Sequence, residues 1–246
     1  KIAYSERRRY FGGGELDSVM NYPLRDAILA YLNGGTAEHF AETMETLREN
    51  YPRDVFYNLM NIIGTHDTAR ALTVLGVMSE DWKKSRDERA HYELPPDRLE
   101  TAKRRLRLAA VIQFTMPGSP TIYYGDEAGR QGFEDPFNRR TYPWGHEDTA
   151  LLDWFRTLGR LRAERESLQS GDIAYPLAAG RVLCFARRAD DEVSLCAVNA
   201  GAESASVDLP WAAPLAHDAL SGQSFLAEGG RLHITLAPYD ALLLTE

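Results

Sequence analysis

The chain changes its periodicity near Gln169, and this change most limits the folds that it can adopt. Before that point, short apolar runs alternate with longer segments whose apolar residues recur at helical spacing. After it, helical periodicity ends, and short runs are separated by turn residues, as in antiparallel sheets. Alternating strands and helices favour parallel strands with helical crossovers. We therefore predict an α/β unit over residues 1–168 and an all-β antiparallel sandwich over residues 169–246.

The first unit is predicted to hold three strands and four helices. The strands are 16–20, 56–63 and 120–124, and the helices are 24–32, 36–50, one that begins near Asp97, and 151–168. Thr36 is a candidate N-cap, and Asp97 with Glu100 is a candidate capping box. The charged segment between Arg70 and Pro96 is predicted to be an exposed excursion. The second unit is predicted to hold seven strands, at 172–177, 181–187, 193–199, 203–209, 215–219, 231–236 and 239–245.

Composition and charge exclude several kinds of partner. The net charge of −8 disfavours non-specific binding to nucleic acid or to an acidic membrane surface. No apolar run approaches the roughly 20 residues that span a bilayer. Neither nucleic acid nor membrane is therefore a predicted partner. The two cysteines, Cys184 and Cys196, lie on either side of a predicted hairpin turn and are interpreted as buried free thiols, and metal-type Cys/His spacing is absent.

A polar tetrapeptide, Gly64 to Asp67, ends the apolar run 56–63. In (β/α) barrels, the residues that carry the chemistry follow the carboxyl ends of buried strands. His66 and Asp67 are therefore candidate site residues. Without its context, the pair is more typical of a helix N-cap aspartate beside a histidine at the edge of the core.

Three further segments place polar residues after predicted strands or between elements. Residues 116–127 end in Gly125, Asp126 and Glu127, where Glu127 is predicted to orient the loop and Asp126 is left open. Residues 134–140 place Asp135 and Arg139 four positions apart, followed by Trp144; this pair could also be a loop ion pair of little energetic value. Residues 17–23 place Asn21 and Tyr22 before Pro23, which suits the first turn of a helix.

These four segments resemble, in order along the chain, the sixth to eighth strands of the α-amylase-type glycoside hydrolases and the loop that follows them. The resemblance is nearest to the neopullulanase, cyclomaltodextrinase and amylopullulanase branch. It implies the C-terminal part of a (β/α)8 TIM barrel, followed by the family's sandwich domain. It also implies an α-glucan oligosaccharide as ligand, with Asp67 as the catalytic carboxylate that assists cleavage. The substrate-binding residues that it implies are His66, Asp135, Arg139, Asn21, Tyr22 and Arg70.

The resemblance also implies that two carboxylates lie upstream of this chain. Retaining glycosidases use a nucleophile and a separate acid/base, and this family carries them on strands four and five. Glu6 and Glu15 lack the surrounding motif, so we expect a fragment that is inactive alone. The full-length protein is expected to be a retaining hydrolase or transglycosylase of α-1,4 or α-1,6 bonds in starch, pullulan or cyclodextrins. No cofactor is evident, although the family allows calcium in the full-length protein.

Three strands cannot close an eight-stranded barrel. The open side is therefore expected to be covered by the N-terminal half of the barrel or by a second copy of the chain, which light scattering would detect. The alternative interpretation is a non-catalytic amylase-like protein of the kind that forms the heavy subunits of amino-acid transporters. The presence of His66, Asp67, Asp135 and Arg139 argues against that alternative.

Overall fold

The computed structural model describes residues 10–11 and 15–246, and helices dominate its first unit. Glu6 lies outside the described residues. The helices are α1 (Tyr22–Leu32), α2 (Ala37–Asn50), α3 (Arg53–Asn58), α4 (Ala71–Gly76), α5 (Arg86–Ala90), α6 (Pro96–Thr115), α7 (Thr149–Glu164) and α8 (Glu166–Ser170). Two short 3₁₀ turns lie at Asp81–Lys83 and Phe137–Arg139. Within the described residues, no helix has the length and apolar character needed to cross a bilayer.

The parallel sheet of this unit is much shorter than predicted. β1 (Met60–Asn61) pairs in parallel with β2 (Ser119–Pro120), and Met20 forms a single parallel bridge to Met60. The three segments therefore lie side by side in sequence order, as predicted. The predicted strand 56–63 is wrong in its first half, because residues 56–58 belong to α3. Periodicity alone does not separate a short buried strand from a buried helical turn.

The predicted ends of the helices are right in one case and wrong in another. Thr36 caps α2, since its side-chain oxygen accepts a hydrogen bond from the backbone N–H of His39 at 3.3 Å. The predicted capping box at Asp97 is wrong, because α6 begins one residue earlier with Pro96 at its first position and no side-chain cap. Proline is suited to that position, since its missing N–H would have no partner there.

The segment between Arg70 and Pro96 is only partly the exposed excursion that was predicted. It contains α4, which packs against α6 and buries Leu72 and Leu75. The apolar face of α4 is too short to give a strong helical period, which explains why the sequence pattern missed it. The last predicted helix, 151–168, is divided in the structure at Arg165, between α7 and α8.

The second unit is an antiparallel β-sandwich, as predicted. Its strands are β3 (Asp172–Ala179), β4 (Val182–Ala189), β5 (Glu192–Asn199), β6 (Ala205–Pro210), β7 (Leu215–Asp218), β8 (Ser224–Leu226), β9 (Arg231–Leu236) and β10 (Asp240–Thr245). The larger sheet has the order β3-β4-β5-β10-β7-β8, and β6 and β9 form the smaller one. The prediction missed β8, which has only three residues. Leu195, Leu209 and Leu232 are among the residues that fill the core between the two sheets.

The other face of the larger sheet packs on the helical unit. Phe155, Leu158 and Leu161 of α7 belong to the same large core cluster as Phe185 and Leu243 of the sheet. The sheet contacts α2 and α6, which the sequence did not indicate, and also α8, which begins inside the predicted last helix 151–168. The two cysteines are buried free thiols, as predicted, and lie in different core clusters on the two faces of the sheet.

Candidate active site

The carboxyl ends of β1 and β2 bring two loops into close contact at one edge of the parallel sheet. Gly64 follows β1, and a Cβ atom built on it would lie only 2.0 Å from Oδ2 of Asp126 in the loop after β2. A side chain at position 64 would therefore displace the buried Asp126 carboxylate. The glycine allows the two loops to approach, and this approach sets the position of the residues that follow it.

Asp67 presents a half-exposed carboxylate at this edge. The hydroxyl of Tyr22 donates to its Oδ2 at 3.3 Å, and Nε2 of His66 lies 3.2 Å from its Oδ1. The backbone N–H of Asp67 donates to Oγ1 of Thr65 at 3.1 Å. The alternative of a helix N-cap is wrong, because α4 begins only after Arg70 and has no side-chain cap. The carboxylate is accessible to a ligand, with a phenol and an imidazole beside it.

Asp135 and Arg139 lie next to this group. Nε of Arg139 is 3.1 Å from Oδ1 of Asp135 and also 3.1 Å from the backbone oxygen of His66, to which it donates. Both side chains are about half exposed. The loop ion pair, one of the two predicted interpretations, is present, and both of its side chains are accessible to a ligand beside His66.

Two predicted substrate-binding residues are buried, and their assignment to a ligand surface is wrong. Asn21 caps α1 by accepting from the N–H of Leu24 at 3.2 Å, and its Nδ2 donates to Oδ1 of Asn61 at 3.1 Å. Arg70 is 1% exposed. Both polar groups are used inside the protein, because each satisfies buried backbone or side-chain partners. Of the predicted set, the structure brings together Tyr22, His66, Asp67, Asp135 and Arg139.

Arg70 and Asp126 form a buried ion pair beneath this surface. Nη1 of Arg70 lies 3.1 Å from Oδ1 of Asp126 and also donates to the backbone oxygen of Tyr124, and the guanidinium lies 4.2 Å from the centroid of the Tyr123 ring. Burial raises the pKa of Asp126 to about 6, although the charge of Arg70 opposes that rise. Asp126, which the sequence left open, is therefore a structural carboxyl.

Glu127 has the loop-orienting role that was predicted. Its Oε2 accepts from the backbone N–H of Gly125 at 2.8 Å. Sequence reasoning missed two other residues of this region, Thr65 and Asn138, which are both buried and bind the loop that carries Asp67. The sequence indicated Thr65 and Asn138 only in that each lies within a segment that was selected for its other residues.

The described residues do not fit a metal site. Over residues 10–11 and 15–246, no three side chains of His, Cys, Asp or Glu come together closely enough to hold an ion. The possibility of calcium in a full-length protein concerns other residues and stays a prediction.

Curated relatives match most of this chain. An amylopullulanase from Thermoanaerobacter thermohydrosulfuricus is 35% identical, with 94% of this chain and 17% of that protein covered. A cyclomaltodextrinase from Geobacillus thermopakistaniensis is 31% identical and neopullulanase 2 from Thermoactinomyces vulgaris is 29% identical, each with 94% of this chain and 37% of the relative covered. The chain thus spans well under half the length of these relatives.

Solved structures show the same fold. A Thermus thermophilus protein superposes with a TM-score of 0.78 at 29% identity, with 95% of this chain and 49% of that chain covered. A Nostoc punctiforme debranching enzyme superposes with a TM-score of 0.77 at 23% identity, with 99% of this chain and 49% of that chain covered.

Two family models together account for nearly all of the sequence. Residues 177–243 match the C-terminal domain of maltogenic amylase. Residues 3–173, which include every candidate site residue, match the α-amylase catalytic domain. The chain therefore belongs to the α-amylase family of glycoside hydrolases and carries part of its catalytic barrel together with the C-terminal sandwich domain.

Proposed function

We propose that this chain supplies one side of the active site of a retaining α-glucan hydrolase or transglycosylase. The observation that carries the proposal is the half-exposed Asp67 carboxylate at the carboxyl end of β1, with Tyr22 and His66 within hydrogen-bonding distance. Barrel enzymes place their chemistry at this face. The names of the relatives, which include amylopullulanase, cyclomaltodextrinase and neopullulanase, support starch, pullulan and cyclodextrin-type substrates.

Asp67 would act mainly in the transition state. Cleavage of a glycosidic bond develops positive charge on the sugar ring, and a fixed carboxylate stabilises that charge. Hydrogen bonds from ring hydroxyls to the carboxylate strengthen at the same moment. His66 lies beside Asp67 with an imidazole nitrogen that can bind a neighbouring hydroxyl, so the two side chains would hold one sugar unit together.

Double displacement needs two further carboxylates, about 5–5.5 Å apart. Two other aspartates of this region do not suit these two roles. Asp126 is buried in an ion pair with Arg70, and Asp135 forms an ion pair with Arg139. The proposal therefore assigns the nucleophile and the acid/base to strands four and five of the full-length barrel, as the family resemblance implies.

The test is an assay of the full-length polypeptide that contains this chain on starch, pullulan and cyclodextrins. We expect release of reducing sugar, with ¹H NMR showing that the first product keeps the α configuration. The 246-residue chain alone should release none. An inverted first product would contradict the retaining mechanism, and complete inactivity of the full-length polypeptide would favour the non-catalytic alternative.

Replacement of Arg139 by Ala in the full-length polypeptide should mainly raise KM for longer glucans, by about tenfold, because a charge-assisted contact to sugar hydroxyls is worth about 1.5 kcal/mol. The pair is half exposed, so its loss should cost little stability. Steady-state kinetics on maltotriose and maltoheptaose, with thermal unfolding alongside, would check this. Arg156→Ala, which breaks an exposed pair with Asp153 on α7, is the matched control. An unchanged KM with a lowered Tm would favour a purely structural ion pair.

A further inference from the structure

Asn138 is a fully buried amide whose side chain faces the loop that carries Asp67. Its Nδ2 donates to the backbone oxygens of His66 at 2.8 Å and Thr68 at 2.7 Å. It also lies 3.4 Å from the backbone oxygen of Thr65. An amide nitrogen has two hydrogens, so the two short bonds use both of them. Because these bonds reach the residues on either side of Asp67, one side chain fixes the backbone at that position.

The side chain of Asp67 is held much less firmly than its backbone. Its contacts to Tyr22 and His66 are 3.3 Å and 3.2 Å long, and the carboxylate is half exposed. The direction in which it points therefore depends on where the backbone of the loop places it.

Asn138 is itself anchored from below. Its backbone oxygen accepts a hydrogen bond from Nε of Arg70 at 2.7 Å. Arg70 in turn donates to the Asp126 carboxylate and to the backbone oxygen of Tyr124. The anchor joins the loop after β1, the loop after β2 and the 3₁₀ turn Phe137–Arg139. A displacement of any one of these segments would be passed to Asp67 through Asn138.

The contacts of Asn138 are those of a donor. In the described chain, its Oδ1 has no hydrogen-bond partner, while its Nδ2 faces three carbonyl oxygens. We propose that Asn138 is a positioning residue that sets Asp67 and His66 for catalysis, an inference that rests on the proposed function. An ionised aspartate of the same shape would place oxygen against oxygen and push the loop away.

The chain offers a matched control in Asn199. This residue is also buried, and its Nδ2 also faces three backbone oxygens, those of Glu203 at 2.8 Å, Ala237 at 2.9 Å and Leu236 at 3.4 Å. It lies at the end of β5 in the sandwich. Asn138→Asp and Asn199→Asp therefore remove the same donor from the same kind of carbonyl cluster, one beneath Asp67 and one in the other unit.

The experiment compares both variants in the full-length polypeptide by kcat, KM and Tm. Misplacement of a reacting group by about 1 Å can cost about 100-fold in rate, so we expect Asn138→Asp to lower kcat by about that factor. KM should change much less, since the displaced Asp67 carboxylate acts mainly in the transition state. Asn199→Asp should lower Tm comparably and leave kcat near the wild-type value.

A kcat for Asn138→Asp that falls no further than that of Asn199→Asp would overturn the proposal. If the aspartate variants do not fold, Asn138→Ala and Asn199→Ala are compared by the same criteria. Failure of both Asn138 variants to fold, when the Asn199 variants do fold, would also overturn it, because Asn138 would then serve the fold alone. The Asp67→Asn variant separates the two hypotheses: if it stays active, the proposed function fails, whatever Asn138 does.

Discussion

Replacement of Asp67 by Asn in the full-length polypeptide is expected to lower kcat by about 10³-fold, with Tm almost unchanged. The substitution keeps the shape of the side chain and removes only its negative charge. A preorganised group that acts on developing charge is worth about this factor when it is lost. KM should change far less, because the charge is needed in the transition state more than in the ground state.

The structure explains why the fold should tolerate this change. The carboxylate is 56% exposed, and its hydrogen bond from Tyr22 is long, at 3.3 Å. The backbone of the loop is held instead by Thr65 and Asn138, which the substitution leaves in place. Steady-state kinetics and thermal unfolding would be measured together. Asp153→Asn, at an exposed aspartate of α7, is the matched control and should change neither kcat nor Tm. Near-normal turnover of Asp67→Asn would show that Asp67 is not catalytic.

The sequence predicted the parts of this fold whose signals are local. The helical periods of α1 and α2, the Thr36 cap and most of the sandwich strands were found in this way, since alternation and turn residues are read directly from neighbours in sequence. The parallel strands were predicted in the right order but at the wrong length. Two-residue ladders such as β1 and β2 depend on which segments meet in space, which a single apolar run does not specify.

The candidate site shows the same division. His66, Asp67, Asp135 and Arg139 stand in recognisable segments, and the structure brings them together. Asn21 and Arg70 stand in the same segments and are buried. A polar residue near a strand end can face a ligand or satisfy the backbone beneath it, and sequence position does not distinguish these uses. Asn138 illustrates the reverse case, since its role depends on three carbonyl groups about 70 residues away along the chain.

Replacement of the buried Arg70 by Met is expected to lower the free energy of unfolding by about 3–5 kcal/mol, the usual cost of removing one partner from a buried ion pair. The loss leaves the Asp126 carboxylate without its cation. It also frees the backbone oxygens of Asn138 and Tyr124, which accept from the guanidinium. Denaturant unfolding of the wild type and the variant at pH 7 would measure it. Asp126→Asn is the informative comparison, because it also leaves one buried charge without its partner but keeps both carbonyl bonds of Arg70, so its cost should be smaller by the contribution of those bonds.

The loss of unfolding free energy in Arg70→Met should depend on pH, because part of it comes from the ionised carboxylate of Asp126. Burial raises the pKa of Asp126 in the folded protein to about 6, above its ordinary value. The folded state therefore binds this proton more tightly than the unfolded state. The stability that protonated Asp126 contributes is present in full at low pH and is lost as pH rises through about 6. Without Arg70, the pKa of Asp126 should rise further, since the nearby positive charge lowers it.

The difference in unfolding free energy between wild type and Arg70→Met should thus be largest above pH 6 and should narrow towards pH 4, where Asp126 is protonated in both proteins. A difference that stays constant from pH 4 to pH 8 would show that the cost comes from the lost carbonyl bonds and packing, and not from the ion pair with Asp126.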